Sequence, residues 1–162
     1  MSDVKSSELR VLKVDSSDGE FLNLIALLDR ELQERNGEDQ QQYDKYNKVD
    51  YIKDVILIYS DGSAVGCGAF KKFDSNTVEL KRIFVRKEYR KQGISKLILK
   101  NLEQLAAAQG YKSCVLETGM RQMEAINLYK SNGYLITDNF CPYIGMENSV
   151  CMKKEIKNST EG

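Results

Sequence analysis

The sequence contains no histidine. That absence removes every Ser-His-Asp and Cys-His nucleophile arrangement and every mixed Cys/His zinc site. Any general base must then be a carboxylate, a tyrosine, an amine, or a water held by one of them. Cysteine is sparse: Cys67, Cys114, Cys141 and Cys151 form no C-x-x-C pair, so buried free thiols are expected rather than a metal site or a disulfide framework. No metal is expected. Long apolar runs are missing too. The longest, Val55 to Tyr59, is far too short to span a membrane, and Met1 to Glu20 holds no apolar stretch that a secretory signal would need. A cytoplasmic protein with no membrane partner is the expectation. Nor is there an excess of charge of either sign: 24 basic residues face 24 acidic ones, which argues against a general nucleic-acid binder.

What is present is an ordinary globular composition, with 162 residues, 41% of them hydrophobic and 30% charged. That length is enough for one domain with a full core, so residues 1–162 are read as a single domain with polar tails at 1–8 and 157–162. Leu9 to Val14 alternates as a first strand. Ser17-Asp18-Gly19-Glu20 has the pattern of a capping box, with Ser17 as the cap. The stripe Phe21, Leu24, Ile25, Leu28, Leu32 then predicts a helix to about Arg35, ended by Asn36-Gly37. Residues 38–50 are polar and aromatic without a period, as a loop or a short helix would be. Over residues 15–50, ten acids face four bases, which suits either a solvated surface or an approach for a cationic molecule.

Val55 to Ser60, Ala64 to Phe73 and the strand beginning near Thr77 are separated by Asp61-Gly62 and by Asp74-Ser75-Asn76, so an antiparallel meander is expected. Gly66-Cys67-Gly68 lies inside one of these strands. It lacks the third glycine and the following helix of a dinucleotide fingerprint, and no P-loop pattern occurs anywhere.

The stretch from Glu79 to Gln109 organises the rest. Glu79 to Val85 reads as a strand, Arg86 to Gln92 as a basic turn, and Gly93-Ile94-Ser95 as the opening of a helix with apolar positions at Ile94, Leu97, Ile98, Leu102, Leu105 and Ala106, stopped at Gly110. At a helix start the first N–H groups lack internal partners and the macrodipole is positive, so the backbone from Gln92 to Lys96 is suited to phosphate oxygens. Charge agrees: residues 81–100 hold eight Lys or Arg and one acid, Glu88, leaving 16 basic and 23 acidic residues elsewhere. Within the strand the apolar parity switches between Leu80 and Ile83. Either one residue is inserted there as a bulge, or the strand is buried on both faces.

After the helix, Tyr111 to Thr118 reads as a strand parallel to 77–85, because a helical crossover joins them. Met120 to Asn132 is predicted helical, closed by Gly133. Tyr134 to Thr137 and Ser149 to Glu155 make a final pair of strands around the loop 138–148, which holds the only proline, Pro142.

The pattern Arg90-x-x-Gly93-x-Ser95, preceded by Ile83-Phe84-Val85 and followed by Leu128-Tyr129-x-x-x-Gly133-Tyr134, resembles the GNAT superfamily of acyl-CoA-dependent N-acyltransferases over roughly residues 50–155. Ser95 departs from the Gly or Ala usual there but is still small. The resemblance implies a three-layer α/β fold, with a mixed sheet of about seven strands, a splayed central parallel pair and flanking helices. It implies acetyl-CoA as co-substrate, with Ile83, Phe84, Val85, Arg90, Lys91, Gln92, Gly93, Ile94, Ser95 and Lys96 along its pyrophosphate and arm, and Gln122 where the family often has an arm-holding Asn. Main-chain N–H near Phe84 would polarise the thioester. Tyr129 would protonate the departing thiolate, since a phenol of ordinary pKa about 10 is still protonated at neutral pH.

For the base, Glu79 is the first choice and Glu117 the other, as carboxylates on the two strands expected to diverge; either could instead be a structural strand-end charge, Glu79 paired to Lys81 or Arg82. Lys87, Lys91, Lys96 and Lys130 are candidates for the remaining phosphate of CoA. The implied reaction is transfer of an acetyl group to a primary amine of a small molecule, amino acid or peptide by direct attack, because no cysteine has a histidine to activate it. Residues 38–47 and 143–148 lie on the acceptor side in that architecture. A non-catalytic acyl-CoA sensor of the same fold is the alternative, and a homodimer is common in the family.

Overall fold

The computed structural model describes residues 8–36 and 51–156. The expected N- and C-terminal tails, the helix-ending Gly37 and the acceptor-side segment 38–47 lie outside the described residues. In chain order the elements are β1 (Leu9–Val14), α1 (Gly19–Asn36), β2 (Asp54–Ser60), β3 (Ser63–Asp74), β4 (Thr77–Val85), a 3-10 turn (Lys87–Tyr89), α2 (Ile94–Ala108), β5 (Ser113–Gly119), α3 (Met123–Ser131), β6 (Leu135–Thr137) and β7 (Ser149–Glu155). The strands form one mixed sheet of seven in the order β1-β2-β3-β4-β5-β7-β6. β4 and β5 are its parallel pair, through Thr77, Val78 and Glu79 against Ser113, Cys114 and Val115. β5 and β7 are antiparallel along their full length, and β6 adds to β7 through Leu135, Ile136 and Thr137.

The chain divides into two compact units. One comprises residues 1–69 and 82–98, the other 70–81 and 99–162, so β4 is shared, its first five residues in the second unit and its last four in the first.

In the first unit, the cap of α1 is Asp18 rather than Ser17. Asp18 Oδ1 accepts from the N–H groups of Glu20 and Phe21 at 2.9 and 3.0 Å, while Ser17 turns back and donates its N–H and hydroxyl to Asp15 Oδ1. A carboxylate one residue nearer the helix adds charge at the positive end of the dipole, so it wins the position. The stripe on α1 places Phe21, Leu24 and Ile25 in a core with Ile52, Val55, Leu57, Ala64, Cys67, Ala69 and Phe84. Asp61 and Gly62, at φ 49 and 87, make the primed turn that returns β2 into β3. Gly66 sits inside β3 for a packing reason: a Cβ there would lie 3.1 Å from Ile98 Cδ1, 3.2 Å from Ile94 Cγ2 and 3.3 Å from the Phe84 carbonyl oxygen.

The parity switch in β4 has a single origin. Arg82 adopts φ 59, a left-handed residue in an otherwise extended strand, as in a bulge. Its Nη1 pairs with Asp29 Oδ1 at 2.7 Å, and its carbonyl accepts from the Cys67 thiol at 3.3 Å, which offsets part of the cost of a side chain in that region.

In the second unit, α2 closes as predicted around Gly110: at φ 93 its N–H reaches the Ala107 carbonyl, and the Tyr111 N–H reaches Ala106. The parallel pair starts from the buried hydroxyl contact between Thr77 and Ser113 at 2.9 Å and from the Lys112 N–H to the Asn76 carbonyl at 2.7 Å. α3 begins at Met123, later than the predicted Met120, because residues 119–122 form a turn closed by the Gln122 N–H on the Gly119 carbonyl. Of the four cysteines, Cys67, Cys114 and Cys151 are buried free thiols as expected, but Cys141, on the 138–148 loop, is exposed.

Candidate active site

The basic turn that the sequence suggests for anion binding belongs to the first unit. β4 ends in the buried Phe84 and Val85. Arg86 then ties the turn to β3, its N–H bonding the Val65 carbonyl at 2.8 Å and its Nε the Ala64 carbonyl at 3.0 Å. Arg90 is held within the protein. Its Nε donates to the Val85 carbonyl at 2.9 Å, its Nη2 meets both oxygens of Glu31 at 2.8 and 3.1 Å, and its guanidinium lies over the Phe84 ring, 5.5 Å from the centroid. It therefore braces the loop. Lys91 and Gly93 take φ 64 and 83, turning the chain into α2. A Cβ on Gly93 would meet nothing within 4 Å, so glycine is needed there for its backbone angle and not for space inside the protein.

The first helical bond runs from the Leu97 N–H to the Gly93 carbonyl. The N–H groups of Ile94, Ser95 and Lys96 precede it and have no helical acceptor. Around them Lys87, Lys91 and Lys96 are exposed and form no ion pair among the described residues, and Lys130 on α3 is likewise exposed. Beside this turn an open cleft of about 340 Å³ is lined by Leu27, Arg30, Glu31 and Glu34 of α1, by Phe84, and by Arg86, Lys87 and Glu88.

The carboxylates belong to the second unit. Glu79 Oε2 lies 3.7 Å from Lys81 Nζ and accepts from the Tyr143 hydroxyl at 3.4 Å, near the long limit for such a bond. Glu117 Oε2 accepts from the Ser149 hydroxyl at 2.8 Å. In the β5–β7 register Glu117 stands opposite Cys151, which puts Ser149, two residues away, on the same face as its diagonal neighbour. Burial pushes the Glu117 carboxyl up to about 7; the Ser149 bond and Lys81 act against this, and the neighbouring Glu79 charge adds to it. On α3, Ile126 and Tyr129 are the buried residues. Burial, and then the Glu117 charge, raises the Tyr129 phenol above its ordinary range, so it keeps its proton throughout the neutral range. Gln122 stands at the start of α3 against Gly119, without a capping bond from its side chain. No group of three or more Cys, Asp or Glu among the described residues is arranged to hold a metal ion, and no described helix is long and apolar enough to cross a membrane.

Of the side chains that the sequence suggests for acid–base work, Glu117 and Tyr129 interact with one another in the second unit, and Glu79 pairs with Lys81 as expected. Ser149 and the contact of Tyr143 with Glu79 are missed. Both depend on strand register and on the path of a loop, which no local pattern encodes.

The model of the acetyltransferase (GNAT) family matches residues 21–134. Probable N-acetyltransferase 14 of Xenopus tropicalis is 34% identical over 100 residues, which cover 61% of this chain but only 48% of the relative, so the chain spans about half of that protein's length. An uncharacterised Bacillus subtilis protein, YyaT, is 28% identical over 79% of this chain and 83% of its own. Among solved structures, a candidate acyl-CoA N-acyltransferase from Klebsiella pneumoniae has 30% identity and a TM-score of 0.79 over 93% of this chain and 99% of its own. A GNAT acetyltransferase from Elizabethkingia anophelis, with acetyl-CoA bound, shares the fold at 20% identity and a TM-score of 0.67 over 93% of this chain and 100% of its own. The chain belongs to the GNAT family of acetyltransferases, and with it to the acyltransferases.

Proposed function

We propose that this protein moves an acetyl group from acetyl-CoA to a primary amine of a small molecule, amino acid or peptide, by direct attack within a ternary complex. The observation that carries this reading is the half-buried carboxyl of Glu117, poised at about 7 beside a phenol that stays protonated, in a chain with no histidine. A base must be deprotonated near working pH, and an acid for a thiolate must still hold its proton; these two side chains meet those conditions. Glu117 thereby replaces Glu79 as the preferred base, and Glu79 becomes its charged neighbour.

The helix-start N–H groups of Ile94, Ser95 and Lys96 and the exposed lysines 87, 91 and 96 fit the pyrophosphate and phosphate of CoA, whose thioester supplies the activated acetyl group. Gln92 and Gly93 shape that turn, and Arg90 acts by bracing it from behind. Ile83, Phe84 and Val85 offer main-chain groups to the cofactor arm, the Phe84 N–H to the carbonyl oxygen, and Gln122 a side-chain amide. Glu117 accepts the proton of the acceptor ammonium, directly or through a water, and Tyr129 protonates the leaving sulfur. The free thiols suit a reducing, cytoplasmic setting.

The test is thiol release from acetyl-CoA against a panel of amines, amino acids and peptides, with Tyr129→Phe alongside. Turnover with one acceptor, lost in Tyr129→Phe while CoA still binds, supports the reading. Binding of CoA without thiol release from any acceptor, unchanged by the substitution, is what a sensor would show.

A further inference from the structure

In the second unit a polar cluster closes around Tyr134, which is 0% exposed. The Tyr134 hydroxyl donates to Glu103 Oε2 of α2 at 2.8 Å, and Lys154 Nζ of β7 donates to Glu103 Oε1 at 2.8 Å. The same ammonium lies 5.7 Å from the centre of the Tyr134 ring. Register and backbone prepare this arrangement. Lys154 stands opposite Cys114 in the β5–β7 pair, so the two side chains leave the sheet on one face, and the Cys114 thiol also lies beside Tyr134. Gly133 lets the lysine pass: a Cβ there would lie 3.2 Å from Lys154 Cε and 3.5 Å from its Cδ. A phenylalanine would fill the space of Tyr134 without burying a hydroxyl, which costs stability unless it is bonded. What the bonded hydroxyl adds is one fixed orientation of the ring.

Tyr134 is joined to Tyr129 twice. Its N–H donates to the Tyr129 carbonyl at 3.0 Å where α3 ends, and the two rings meet edge-on, 6.0 Å apart at their centroids with 65° between their planes. Tyr129 is 8% exposed, and among the described residues its hydroxyl forms no hydrogen bond. Its direction among them is set by packing, and the Tyr134 ring is part of that packing.

We propose that Tyr134 is a positioning residue for Tyr129: the Tyr134–Glu103–Lys154 tether fixes the ring on which Tyr129 rests, and so holds the Tyr129 hydroxyl ready for a bound partner. The inference rests on the acetyl-transfer reading only for that partner's identity, the leaving sulfur. A phenol held by its own hydrogen bond must break that bond before it can protonate a thiolate. One held through its ring keeps its hydroxyl for the reaction.

The experiment pairs kinetics with NMR of protein carrying ring-¹³C tyrosine, the Tyr129 signals being assigned by their loss in Tyr129→Phe. Tyr134→Phe keeps the edge contact and removes the tether. It should let the Tyr129 ring flip faster and lower kcat about 3- to 10-fold, with the KM for acetyl-CoA unchanged. Glu103→Ala should do the same alone and add nothing in the Tyr134→Phe background, because it acts through that hydroxyl. Asp18→Ala, which removes the cap of α1, is the control for a general loss of stability and should leave the flips as they are. Flips unchanged in Tyr134→Phe, a KM that rises in place of the fall in kcat, or flips quickened equally by Asp18→Ala would each overturn the proposal. The ring measurement needs no turnover. Faster flips in a protein that releases no thiol from any acceptor support the positioning role and count against acetyl transfer.

Discussion

The two functional regions are built on opposite principles. The turn proposed to bind CoA offers backbone N–H groups and several exposed lysines, held in shape by Arg86, Arg90 and the left-handed Lys91 and Gly93. The carboxylate cluster uses a few buried side chains, each tuned by the others. Grip on a multiply charged ligand can be shared among many weak, solvated contacts, so no single cation is decisive. Proton transfer needs one group with one pKa, and only a buried, coupled site can shift a carboxyl that far. The first region should therefore tolerate single side-chain losses and the second should not.

The largest effect is expected from Glu117→Gln. It should lower kcat about 10²- to 10³-fold and remove the acid limb of the pH profile, which in the unaltered enzyme rises through the Glu117 value of about 7. The same change should stabilise the fold above neutral pH. The folded-state pKa is raised, so between the unfolded value and about 7 the folded protein binds the extra proton, and stability falls as pH rises across that window. Melting at pH 8 should show Glu117→Gln more stable by about 1–3 kcal/mol, with the gain vanishing near pH 4. A loss of stability at pH 8 would break the contrast.

Next comes Gly93→Ala. At φ 83 a Cβ costs about 1–2 kcal/mol, so the melting temperature should fall and the KM for acetyl-CoA rise with kcat largely kept. Asp18→Ala removes the cap of α1; denaturant unfolding should show a loss of about 1 kcal/mol, and the kinetics no change. Smallest is Lys91→Ala. Sharing the phosphate among several lysines predicts a rise in the KM for acetyl-CoA of only about 2- to 5-fold, fading as salt is added. A large, salt-insensitive rise would mean that the turn depends on one side chain after all.

The order and type of nearly every element can be read along the chain, because apolar periodicity and turn residues act locally. The helix opened by Ile94 and closed at Gly110, the Asp61-Gly62 return and a parity break between Leu80 and Ile83 all follow from it, whereas Arg82 as its seat came from the backbone angles. It also restricted the base to a few residue types by lacking histidine, and it located the basic turn. It misled where two local signals competed, as at Ser17 and Asp18, and where a short turn delayed α3 to Met123. Only the tertiary structure decided which carboxylate is poised. Glu79 and Glu117 look alike in sequence. Burial, the β5–β7 register that brings Ser149 to Glu117, and the loop that delivers Tyr143 to Glu79 separate them, because a pKa depends on what surrounds a group in space and not on its neighbours along the chain.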